Sequence, residues 1–215
     1  MTSELIFSDD ATLSDLRTFV SRARAADDGA IRLQASGAVL AAWVCLMRPR
    51  LLGESTPTIL GLRTMALAEP AELDVTVSLA SVADRLAREE LRQRFAVPPV
   101  YVNESWTAIS PPRSQWQQVQ LLAAEQLIDA AKTGVREIAQ IIPVNPGALI
   151  VNNARASVWG RGLVDLPEIP AGAAFAGYAL GFWAAGEPVA LFRAGRWRRL
   201  SSGSGHVLIR PGNPL

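Results

Sequence analysis

VALFRAGRWRRLSSGSGHVLIR, residues 189–210, reads as three short strands, VALFR, RWRRLS and HVLIR, separated by two tight turns. Strands this close in sequence pair as an antiparallel meander. The uncharged run just before them, Ala171–Gly186, is mostly alanine and glycine and too short to span a bilayer as a helix. It suits a buried strand or a core helix, and we read its AAFAGYALGF part (173–182) as the first strand of the same region.

Working back toward the start, helices replace strands. The spacing of Trp116, Val119, Ala123, Leu127, Ala130, Gly134, Ile138 and Ile142 predicts a long, mostly buried helix, with Gly134 as a point where it divides. Asn145-Pro146 is the expected cap and first turn of another helix, ending near Trp159. Residues 96–113 form a proline-rich connection. Ser78 or Ser81 caps a helix whose face runs through Ala83, Ala87, Leu91 and Phe95. Further upstream, PTILGLRTMAL (57–67) and LDVTVSL (73–79) read as strands. AIRLQAS and AVLAAWVCLM read as a hairpin turning at Ser36-Gly37. A first helix runs from Thr12 to Asp28 with Leu13, Leu16, Phe19, Val20 and Ala23 on one face.

Strands therefore cluster, then helices, then strands again. That order implies an α+β fold with antiparallel meanders at both ends of the chain and a helical middle segment packed on them. We expect a single domain, 1–215, with two lobes as its subdivision: residues 1–95 and residues 113–215, joined by the Pro-rich loop 96–112. Each meander is preceded by helix, an echo that hints at duplication.

Composition excludes much chemistry. The chain has 215 residues, 49% of them hydrophobic and 19% charged, with a net charge of +1. This is a globular protein without the overall charge of a nucleic-acid or membrane-surface binder. Acids gather near the start (Glu4, Asp9, Asp10, Asp15, Asp27, Asp28), and arginines near the end. A single histidine, cysteine and lysine leave no His/Cys zinc cluster and no phosphate-binding GxxxxGK[ST] loop. No metal and no cofactor is expected. Lys132-Thr133-Gly134 is a chance tripeptide, because the SxxK lysine that should accompany it is absent. Adjacent acids such as Asp9/Asp10 and Glu89/Glu90 point to different faces. The start MTSELIFSDD lacks the basic and apolar regions of a secretory signal, and with one cysteine the expected location is the cytoplasm.

Two groups of residues remain as candidate sites. If the first turn of the meander is Ala194-Gly195, Phe192 lies opposite Trp197 and one face carries Val189, Leu191, Leu200, Val207 and Ile209. The other then carries Phe192, Trp197, Arg199, His206 and Arg210, an aromatic and cationic face suited to a small anionic ligand or nucleotide. A three-residue turn would instead put Trp197 in the core. The second group, Tyr101, Trp106 and Trp116, lies on and beside the Pro-rich loop and suits an interaction surface.

By elimination, the expected function is non-catalytic: contact with another protein or self-association, for instance as a homodimer, with no nucleic-acid signature and no membrane. A binder of a small anion at the C-terminal face is the alternative. A hydrolase built on distant carboxylates is the third reading.

Overall fold

A computed structural model describes residues 4–50, 54–88, 93–143 and 147–212. The expected Asn145-Pro146 helix start, with Glu89, Glu90 and Leu91, lies outside the described residues. The fold is α+β with antiparallel sheets toward both ends of the chain and helices between them. The chain forms two compact units, Met1–Leu46 with Gly61–Ser110, and Met47–Leu60 with Pro111–Leu215.

In the first unit, β1 (Glu4–Ile6) pairs with β4 (Arg94–Ala96), placing Leu5 opposite Phe95. Helix α1 (Asp10–Ala26) buries Leu13, Leu16, Phe19, Val20 and Ala23, the face its spacing predicts. Its cap is Asp9, one turn earlier than Thr12: the Thr12 backbone N–H donates to Asp9 Oδ1 at 2.6 Å, and the Thr12 hydroxyl donates at 2.8 Å. The Thr12 backbone bond comes first in holding the Asp9 carboxyl below its ordinary pKa. A carboxyl depressed in the folded state stabilises above its unfolded pKa and loses that contribution as pH falls through the folded one. Asp9→Ala should therefore lower the thermal midpoint at neutral pH and change it little in strong acid. Melting curves at the two pH values check this.

Helix α2 (Leu79–Arg88) packs on α1. Ser78 Oγ accepts from the Ser81 N–H at 3.1 Å, and Arg17 Nη2 donates to the Leu86 carbonyl at 2.9 Å, so both ends find partners. Strands β2 (Ala30–Met47) and β3 (Thr58–Ser78) are far longer than the segments expected. The Ser36-Gly37 hairpin does not form. Gly37 takes a positive φ of 57° and its N–H donates to Glu72 Oε1 at 3.0 Å, so the strand passes through one left-handed residue without reversing. Across the same pair of strands, Arg32 grips Asp74 with two hydrogen bonds of 2.7 and 2.6 Å.

The second unit contains β5 (Gln117–Ala123), α3 (Ala124–Ile141), α4 (Ala148–Gly160), β6 (Gly162–Leu163), β7 (Leu166–Pro170), α5 (Ala171–Leu180), β8 (Pro188–Ala194), β9 (Trp197–Ser202) and β10 (Gly205–Arg210). Two expectations are corrected. Residues 117–123 are strand, because pairing with β8 overrides the helix preference of Gln, Leu and Ala. Residues 171–180 are helix: AGAAFAGYAL holds no β-branched residue, and Gly181 closes it in the left-handed conformation at φ 73°.

Small residues let α5 sit close to its neighbours. A Cβ on Gly177 would lie 1.9 Å from the Trp183 ring, and the Trp183 indole donates to the Ala174 carbonyl at 2.9 Å. Gly134 does not divide α3. It makes room for Trp159, whose ring would lie 2.1 Å from a Cβ there.

Candidate functional site

The C-terminal meander forms from β8, β9 and β10, and its first turn is Gly195-Arg196 in place of the Ala194-Gly195 expected. Cross-strand partners run Ala194 with Trp197, Phe192 with Arg199 and Leu191 with Leu200. The reason is local: this tight turn holds its first residue at φ 53°, which glycine adopts without the strain alanine would carry. The register moves by two residues, so no side chain changes face. Val189, Leu191, Leu200, Val207 and Ile209 are all buried on one side. The β9–β10 pairing places Leu200 opposite Val207 and Arg198 opposite Ile209, as expected.

By the same alternation the opposite face carries Phe192, Trp197, Arg199, His206 and Arg210. Trp197 is nevertheless buried, 7% exposed beside Ala194. The Arg199 guanidinium lies 4.5 Å from the centre of the Phe192 ring and 4.5 Å from that of Trp116. Trp116 is itself anchored by its indole N–H, which donates to the Pro112 carbonyl at 2.9 Å. Burial lowers the Arg199 pKa, and its buried Nε has no hydrogen-bond partner among the described residues, so the two ring faces supply the charge's nearest compensation there. His206 Nδ1 and Ser201 Oγ are 2.9 Å apart as a cross-strand pair. Arg210 is half-buried.

The second expected group separates. Trp116 joins the Arg199 cluster. Trp106 is buried in the short 3-10 turn Ser105–Ala108 of the first unit, and Tyr101 stands 60% exposed there.

The sequence reading missed a surface. β5 ends the strand order β2-β3-β10-β9-β8-β5, so among the described residues only one of its edges is paired within the sheet. Val119 and Leu121 are 54% and 61% exposed, and the register shifts between Gln118 and Gln120 as β5 runs along β8. The signal was present in Gln118-Val119-Gln120-Leu121, a period-two alternation inside a segment read as helix.

Comparison with known proteins gives the fold first. The chain resembles a protein from Eubacterium rectale assigned as DNA polymerase III beta subunit, at TM-score 0.53 and 10% identity over 99% of this chain and 65% of that one. It also resembles the pol III beta protein of Caulobacter crescentus, at TM-score 0.51 and 12% identity over 99% of this chain and 66% of that one. This is a sliding-clamp-like fold, and the chain spans just under two thirds of the length of the structures it resembles. By sequence the chain belongs to the family described as "Domain of unknown function (DUF8010)", matched over residues 1–108; residues 111–214 match "Domain of unknown function (DUF8185)". No curated protein matches it. Among the described residues no helix is long and apolar enough to cross a membrane.

Proposed function

We propose that this chain is a non-catalytic cytoplasmic assembly module that joins a second copy of itself through the open edge of β5. The observation that carries the reading is that edge: Gln117–Ala123 holds no charged residue and no proline, the usual defences of a terminal strand, and it exposes Val119 and Leu121. Its one irregularity, the bulge at Val119, leaves Gln120–Ala123 regular enough to accept a partner strand. The fold supports the same reading, since the solved structures it resembles are named as polymerase subunits and sliding clamps, and a subunit acts by contact with other chains.

A role centred on DNA has less support. The arginines of α1 and α2 (Arg17, Arg22, Arg24, Arg85, Arg88) are interleaved with Asp10, Asp15 and Asp84, and α3 carries Glu125, Asp129 and Glu137 against Lys132 and Arg136. No helix among these has the one-signed face that phosphate binding favours.

Light scattering coupled to gel filtration tests the proposal. The parent protein should show a concentration-dependent mass above that of one chain. Val119→Lys with Leu121→Lys should return it to a monomer, while Tyr101→Lys, on the first unit, should not. A parent that stays monomeric at high concentration overturns the reading, as does a lysine variant that keeps its assembled mass.

A further inference from the structure

A groove of about 590 Å³ runs between α3 and the β6–β7 hairpin, wholly within the second unit. That volume falls within the roughly 300–1000 Å³ of small-molecule sites. Its floor is apolar and well packed: Leu122, Leu127 and Val158 are buried. Behind Val158, the Trp159 ring stacks on Phe175 at 4.5 Å and fills the space that Gly134 leaves open. A floor held this way keeps its shape when the groove is empty.

The rim is acidic. Arg161 Nη2 pairs with Glu137 Oε2 at 2.5 Å, tying the hairpin to α3 and spending the one guanidinium of the lining. Asp129 on α3 and Asp165 in the β6–β7 turn also line the groove, and neither has an ion-pair partner among the described residues. One carboxylate thus stands on each wall above an apolar floor.

We propose that this groove binds a small apolar molecule bearing a cationic amine. The apolar body would bury against Leu127, Val158 and Leu163, where removal of apolar surface from water supplies the affinity. The ammonium would sit between Asp129 and Asp165, which select its charge. Exposed carboxylates each contribute only up to a few-fold, so the pair gives about a five- to tenfold preference over a neutral or anionic molecule of the same shape. An anion would meet both carboxylates with no free arginine in the lining to offset them. The inference is independent of the β5 edge.

Octylamine, octanol and octanoate share one apolar chain and differ in the head group, and they serve as probes in an NMR shift titration of the whole chain. Octylamine is expected to bind tightest, octanoate weakest. Asp129→Asn with Asp165→Asn should equalise octylamine and octanol while leaving octanol's affinity unchanged. Ala130→Trp should fill the groove and abolish binding of all three. The proposal is overturned if octylamine gives no saturable shifts, if octanoate binds as well as octylamine, or if the paired Asn variant keeps the full preference. Should Ala130→Trp fail to fold, the Asn variant decides alone, because both its changes are on exposed side chains.

Discussion

Gly177→Val is expected to destabilise the protein by about 3 kcal/mol, shifting the thermal midpoint down by roughly 6–12 °C. Intrinsic preference argues the other way, since glycine inside a helix is worse than alanine by about 1 kcal/mol. Space decides the sign. A Cβ at position 177 would sit 1.9 Å from the Trp183 ring. That ring cannot swing aside freely, because its N–H is committed to the Ala174 carbonyl and it meets Phe182 edge-on at 6.4 Å. Overpacking of a core costs about 1–3 kcal/mol even for modest additions, which exceeds the helix gain. Gly177→Ala should therefore also destabilise, by less than valine. Gly160→Ala serves as the control, because none of the described residues comes within 4 Å of a Cβ there. Thermal and urea unfolding of the three variants give the order; a Gly177→Ala protein more stable than the parent would refute the packing argument.

Arg199→Ala and Arg199→Met should differ. The alanine variant loses the guanidinium from between Trp116 and Phe192 together with its aliphatic stem, at a cost of about 2 kcal/mol. Methionine loses the cation–π attraction, worth about 0.5–2 kcal/mol, but keeps the stem and gains sulfur–aromatic contacts worth about 0.3–1.5 kcal/mol. It also removes a buried N–H without a partner among the described residues, a defect that costs about 1–3 kcal/mol. These terms nearly cancel, so Arg199→Met should stay within about 1 kcal/mol of the parent. Urea unfolding of both variants measures the difference. If methionine costs as much as alanine, the positive charge itself holds Trp116 against the sheet, and the cluster is electrostatic in origin.

What could be read from sequence depended on whether local chemistry and tertiary pairing agreed. They agree in α1, where Leu13, Leu16, Phe19, Val20 and Ala23 form the buried face that their spacing predicts. They agree again in the β9–β10 hairpin, whose turn residues and alternation lead to the same register. They compete at Gln117–Ala123, where good helix formers mask a brief period-two alternation and β8, a partner some seventy residues away, recruits the segment as a strand. Alanine-rich α5 failed for the opposite reason: its uniform apolarity carries no period, and propensity alone should have decided it. The Arg199 cluster was half legible. Phe192 and Arg199 could be placed on one face by counting, whereas Trp116 reaches them from a segment whose course depends on the whole unit.

The two sequence families meet near residue 110, and the folded units divide there too, but they also divide at Leu46/Met47 and at Leu60/Gly61. Residues 47–60 lie inside the first family's stretch and belong to the second unit, where Ile59 packs against Gly172 and Ser55 against Gly212. The second family's match therefore lacks a piece of its unit, and the first family's match carries that piece beyond its own. A fragment cut at the family border would leave Gly172 without Ile59 and Gly212 without Ser55 beside it. The second unit is thus completed by a segment that lies within the first family's stretch.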